Sequence, residues 1–137
     1  MATNRIPVIF DTDIGYDIDD LYALYLALFH PMLELVAVTT VHGDTQLEAR
    51  VAAKALRLAG RMDVPVAAGI EMSESRIRKN QRHPVPRDHA TYQVYVNESD
   101  PEYDRRYPKT VEVNRNLLST SPEPLAIIGE GALSNVA

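Results

Sequence analysis

Residues 8–28 read VIFDTDIGYDIDDLYALYLAL, and the fold is decided there. A short apolar run, Val8-Ile9-Phe10, leads into five aspartates within ten residues: Asp11, Asp13, Asp17, Asp19 and Asp20. Behind them, residues 21–29 are almost continuously apolar. The first part reads as a buried strand over residues 6–12, ended by an Asp/Gly turn. The second reads as a helix with Asp17 at the N-cap, negative charge in its first turn, and a stop at Phe29 before His30-Pro31. A helix apolar nearly all round is expected to be buried. Between two such elements the carboxylates have little room to spread. Two of them about 4 Å apart repel by roughly 4 kcal/mol at an effective dielectric of about 20. A bound divalent cation relieves that repulsion, and all-oxygen ligation selects calcium or magnesium. Helix capping on a solvated acidic turn is the plainer reading of the same residues.

The alternation continues outward. Residues 33–41 (LELVAVTTV) read as a second buried strand, with His42-Gly43-Asp44 as its turn. Residues 45–59 read as a helix, with Leu47, Val51, Ala55 and Leu58 on one face and Gly60 as its stop. Residues 63–68 form a third short strand. Strands and helices alternating through short links predict right-handed crossovers and an α/β fold, a parallel sheet with flanking helices. Residues 71–108 break this rhythm with Pro84, Pro86, Pro101, Pro108 and the basic run Arg76, Arg78, Lys79 and Arg82. Such a segment is a candidate lid or a solvated charged loop. His83 and His89 are candidates for a place over a bound ligand, and Tyr92 and Tyr95 read as packing residues. Residues 109–119 then read as a helix, 124–128 as a fourth strand, Gly129-Glu130-Gly131 as its turn, and 132–137 as the opening of another helix. With that helix only begun, residues 1–137 read as the N-terminal part of a larger sheet.

Bulk properties narrow the class. A chain of 137 residues with 45% hydrophobic and 24% charged residues has the composition of a folded domain. Its formal net charge of −5 argues against nucleic acid as a partner. Cysteine is absent, which excludes disulfides and thiolate metal sites and fits a cytoplasmic protein. Residues 1–10 lack the apolar core and cleavage site of a signal peptide, and no stretch approaches the roughly 20 apolar residues of a membrane span.

In a parallel sheet, ligands bind beyond the carboxyl ends of the strands. Asp11-Thr12-Asp13, His42-Gly43-Asp44 and Gly129-Glu130 would all lie on that edge. Asp11-Thr12-Asp13-Ile14-Gly15, followed by Asp19-Asp20 and a Leu/Ala-rich helix, resembles the N-terminal signature of the inosine–uridine-preferring nucleoside hydrolases. Val38-Thr39-Thr40-Val41-His42-Gly43-Asp44, residues 60–69, and Ile128-Gly129-Glu130-Gly131-Ala132-Leu133-Ser134-Asn135 are similar to further segments of that family, in the same order. The resemblance implies a Rossmann-like core and a calcium-dependent hydrolase. Such an enzyme cleaves the N-glycosidic bond of purine or pyrimidine ribonucleosides, releases free base and ribose, and is assembled as a homo-oligomer. It further implies that Asp13 is both a calcium ligand and the base that deprotonates the attacking water. Asp20 would be a second ligand, and Glu130 would offer its backbone carbonyl to the ion. Asp19 would bind ribose hydroxyls, and Asp44 would also lie on the substrate side, where many members carry an Asn. The family pattern Asp-Pro-Gly-x-Asp-Asp is lengthened here by two residues at Tyr16-Asp17-Ile18, so a register using Asp17 stays open.

Two other readings stand beside this one. The family's second half supplies further ligands that are not found in these residues, so a catalytically inactive hydrolase half is an alternative. A haloacid-dehalogenase-like phosphatase also opens on strand-Asp-x-Asp, but Ile14-Gly15 replaces its Gly-Thr. An EF-hand loop fails because Gly15 stands at a ligand position and a strand precedes the motif.

Overall fold

The computed structural model describes residues 5–15, 17–71 and 96–136. β1 (Ile6–Thr12) is buried from Val8 onward, which an inner strand of a covered parallel sheet requires. It pairs in parallel with β2 (Leu33–Thr40) on one side and β4 (Ala126–Gly129) on the other. β3 (Val66–Ala68) completes the sheet beyond β2, giving the order β3-β2-β1-β4. The chain therefore winds outward from β1 to β3, then returns past its starting strand to β4. That reversal makes the β1/β4 boundary a topological switch point, where the connections diverge and leave a crevice at the carboxyl ends.

Right-handed crossovers place α1 (Ile18–Phe29) and α2 (Thr45–Leu58) on one face and α3 (Thr110–Thr120) on the other. The first face is well packed. Phe10, Leu24, Val38, Val51, Ala52, Ala55 and Leu56 share one core, and the Tyr25 hydroxyl donates to the Ala55 carbonyl across the helix pair. The second face is thinly covered. Of α3, only Thr110 is buried, and a groove of about 910 Å³ runs between that helix and the ends of β3 and β4. Residues 96–108 are strapped along α2: Lys54 meets Asp100 at 2.8 Å, Arg57 meets Glu102 at 2.8 Å, and the Gln46 side chain bonds the Tyr107 backbone in both directions.

The strand and helix boundaries follow the sequence closely, and several details differ. α1 is not buried all round: Tyr22, Leu26 and Phe29 are each about two-thirds exposed, because a helix lying on one sheet face can bury only one side. Leu58 is exposed as well; the buried stripe of α2 runs through Leu47, Glu48, Val51, Ala52, Ala55 and Leu56 instead. β3 is shorter than expected because Arg61 and Asp63 pair with one another and Val64 N–H turns back to the Arg61 carbonyl. The expected final helix is a single 3-10 turn, Leu133–Asn135, closed by Val136 N–H on the Leu133 carbonyl. The basic run Arg76–Lys79 with Arg82, the histidines His83 and His89, and the tyrosines Tyr92 and Tyr95 lie outside the described residues, as does most of the proposed lid.

Candidate active site

The site is built from the carboxyl end of β1 outward. Strand pairing carries Asp11 and Thr12 into the sheet, and Asp13 is the first residue past it. Ile14 tucks back into the core, and Gly15 turns the chain at φ 122°, a conformation glycine supplies without strain. The chain then enters α1 with Asp19 and Asp20 in the first turn. Asp17 occupies the N-cap position with extended backbone, but its side chain makes no capping hydrogen bond. The carboxylate of Asp20 points back at the strand, where Thr12 Oγ1 donates to it at 2.5 Å. Helix-start chemistry is thus only part of what the acidic residues do. Asp20 ties the helix to the strand end.

Burial sets the electrostatics. Desolvation raises the pKa of Asp13, and the charges of Asp19 and Asp17 raise it further against an opposing pull from its own backbone N–H and from His42. Desolvation likewise lifts Asp20 to about 6, opposed by the Thr12 hydroxyl and reinforced by Asp13, Asp19 and Glu130. Asp13, Asp17, Asp19, Asp20 and Glu130 therefore share one electrostatic neighbourhood at the β1/β4 switch point. Glu130 follows β4 directly and is exposed; its N–H donates to the Asp11 carbonyl at 2.8 Å, which fixes the turn against β1. Asp44 stands at the start of α2, where one carboxylate oxygen accepts Leu47 N–H at 3.0 Å as a helix cap. Just before it His42 adopts a left-handed φ of 71°, a strained geometry for a residue with a side chain.

Two acids behind this edge carry no role in the nucleoside hydrolase reading of the sequence, though Asp11 would be the nucleophile in the phosphatase alternative. Asp11 is 1% exposed; one oxygen accepts from the Thr39 hydroxyl and from Asn135 at 2.8 Å, while the other has no partner among the described residues. Burial holds its pKa up. Glu48 is completely buried in the first turns of α2, neither oxygen has a partner among the described residues, and its pKa is pushed up to about 10. Desolvation is the main cause, followed by the charges of Asp13, Asp44, Asp20 and Glu71. A signal for Glu48 existed: it stands three, four and seven residues before Val51, Ala52 and Ala55, on the apolar stripe rather than the polar face.

The hard carboxylate donors suit a calcium or magnesium ion in kind, and a cation would relieve the mutual repulsion of Asp13 and Asp20. In number they fall short: among the described residues no three Asp, Glu, His or Cys side chains are grouped as a metal-binding set.

Residues 8–137 match the inosine-uridine preferring nucleoside hydrolase family. The chain belongs to that family. The match decides between the two families that the strand-Asp-x-Asp motif left open. The pyrimidine-specific ribonucleoside hydrolase RihA of Photobacterium profundum is 32% identical over 136 residues, a stretch covering 96% of this chain and 41% of the relative. The non-specific ribonucleoside hydrolase RihC of Klebsiella pneumoniae is 36% identical, with 97% of this chain and 42% of the relative covered. Among solved structures, the plant nucleoside hydrolase PpNRh1 superposes with a TM-score of 0.69 at 28% identity, over 96% of this chain and 41% of that one. The chain thus spans about two-fifths of the length of the nucleoside hydrolases it matches. Among the described residues no helix is long and apolar enough to cross a membrane.

Proposed function

We propose that this chain carries the acidic floor of a ribonucleoside-hydrolysing site. The observation that carries the reading is the gathering of Asp13, Asp19, Asp20 and Glu130 around the switch point of a nucleoside hydrolase fold, with burial raising the pKa of Asp13 and Asp20. Calcium would be held by the carboxylates of Asp13 and Asp20 and by the backbone carbonyl of Glu130. When bound, it would lower the pKa of a water and hold it beneath the sugar. Asp13 takes a proton from the attacking water. Asp19 accepts hydrogen bonds from ribose hydroxyls, with Asp44 on the same side and Asp17 as the alternative partner. These carboxylates also stabilise the oxocarbenium-like ribosyl centre as the purine or pyrimidine base departs. Homo-oligomeric assembly and a cytoplasmic role in nucleoside salvage accompany the reading.

The experiment is calorimetric titration of the chain with CaCl2, combined with chromatographic detection of hypoxanthine and uracil released from inosine and uridine. Calcium binding and base release that both disappear in Asp13→Ala support the reading. Calcium binding without base release would instead mark the chain as an inactive half-site. If the chain neither binds calcium nor releases base, the functional reading is lost and only family and fold remain.

A further inference from the structure

We infer that Asn135 is a positioning residue for this floor, a clamp that gathers the strand ends and holds Asp11 behind Asp13; the inference rests on the reading of the floor given above. Its side-chain amide has two hydrogens, and both are used: Nδ2 donates to Asp11 Oδ1 at 2.8 Å and to the Thr40 carbonyl at 2.9 Å. Its Oδ1 accepts Ile70 N–H at 3.1 Å. Chemistry fixes this orientation, because a flipped amide would set its oxygen against two acceptors and its nitrogen against a donor. One side chain thereby bonds the ends of β1 and β2 and the exit from β3, and it is delivered by the turn that follows β4. All four strands meet at it.

The seat for this amide is made by glycine. A Cβ at Gly69 would overlap both polar atoms of Asn135 and the Thr40 carbonyl. Gly131 provides a second close approach: a Cβ there would lie 2.8 Å from Val41 Cγ1 and 3.1 Å from the backbone nitrogen and Oδ1 of Asp13. Residues 129–135 are therefore laid directly on the floor, with Gly131 against Asp13 and Asn135 against Asp11. Asp11 Oδ1 receives two donors, the Thr39 hydroxyl and Asn135. Losing the second leaves a fully buried carboxyl with the Thr39 hydroxyl as its sole donor among the described residues, two residues from Asp13, and frees the Thr40 carbonyl and Ile70 N–H at once. Asn135 acts through Asp11 and the strand ends, so the effect should appear as misplacement of Asp13.

The test compares Asn135→Asp with the double variant Asp11→Asn/Asn135→Asp. The single change keeps size and the acceptor for Ile70 N–H but turns the donor toward Asp11 into a second carboxylate. The double change restores a donor and an acceptor between residues 11 and 135 but leaves the Thr40 carbonyl facing a carboxylate oxygen. Thermal midpoints are read for each chain, and affinity for CaCl2 is read by calorimetry well below the lowest midpoint. The single variant should lose roughly ten- to hundredfold in calcium affinity while folded, and the double variant should recover part of the affinity and of the midpoint, since the Thr40 carbonyl stays without its donor. Unchanged affinity in folded Asn135→Asp would reduce Asn135 to a structural residue and overturn the inference, as would a double variant no better than the single one. A wild-type chain that binds no calcium overturns the site reading and the positioning role with it; recovery of the midpoint by the exchange still judges the clamp by itself.

Discussion

Glu48 offers the sharpest test of the electrostatics at this site. Replacing it by glutamine keeps shape and removes a titratable group that is wholly buried beside Asp13 and Asp44. In the unfolded chain this carboxyl titrates near its ordinary value of 4.5, and in the folded chain near 10. Between those values the folded state holds one proton more than the unfolded state, so stability is lost as pH rises. Below pH 4.5 both states are protonated and the residue adds no pH dependence. One proton of difference corresponds to about 1.4 kcal/mol per pH unit. From pH 7 to pH 9 the wild-type chain should therefore lose about 2.7 kcal/mol relative to Glu48→Gln, a sizeable part of a typical domain's stability of about 5–15 kcal/mol. The assay is urea unfolding followed by far-ultraviolet circular dichroism, since the chain has no tryptophan. A packing difference between acid and amide moves the whole curve up or down and leaves the difference in slope intact. The raised carboxyls of Asp11, Asp13 and Asp20 are present in both chains and cancel to first order. Parallel pH dependences would refute the reasoning and mean that Glu48 is ionised in the fold.

Three further outcomes are expected. Asp20 titrates at about 6 in the fold, and a cation must displace its proton, so calcium affinity should fall by up to about tenfold per unit as pH drops below 6; titrations at several pH values that give one constant affinity would exclude Asp20 as a ligand. Phe10→Ala should cost about 3–5 kcal/mol in urea unfolding, because Phe10 is fully buried at the centre of the sheet. Gly60→Ala should cost about 1 kcal/mol, since φ is 72° with nothing within 4 Å of an added Cβ, leaving backbone conformation as the sole penalty; an unchanged urea midpoint would show that the helix end relaxes freely.

The chain by itself determined its elements and their order. Apolar runs of four to eight residues between turn signals need no tertiary information to be read as strands, and the 3.6-residue stripe of α2 is equally local. The aspartate motif and the strand-end turns were legible for the same reason: they are contiguous, and a parallel sheet brings its carboxyl ends to one edge. Protonation state and partner choice were decided only by the tertiary structure. Asp20 meets Thr12 across eight residues rather than capping its own helix, and Asn135 meets Asp11 across 124. Glu48 stands on the apolar stripe of α2, which marks it for burial, but only the packing around it decides that burial lifts its pKa to about 10. Desolvation depends on what every other element packs around a group, and a hydrogen bond depends on where two distant backbones end. Neither quantity is contained in a local pattern. The acidic stretch at residues 11–20 announced a site, while the fold determined which of its carboxylates are buried, which are tied to neighbours, and which face the crevice.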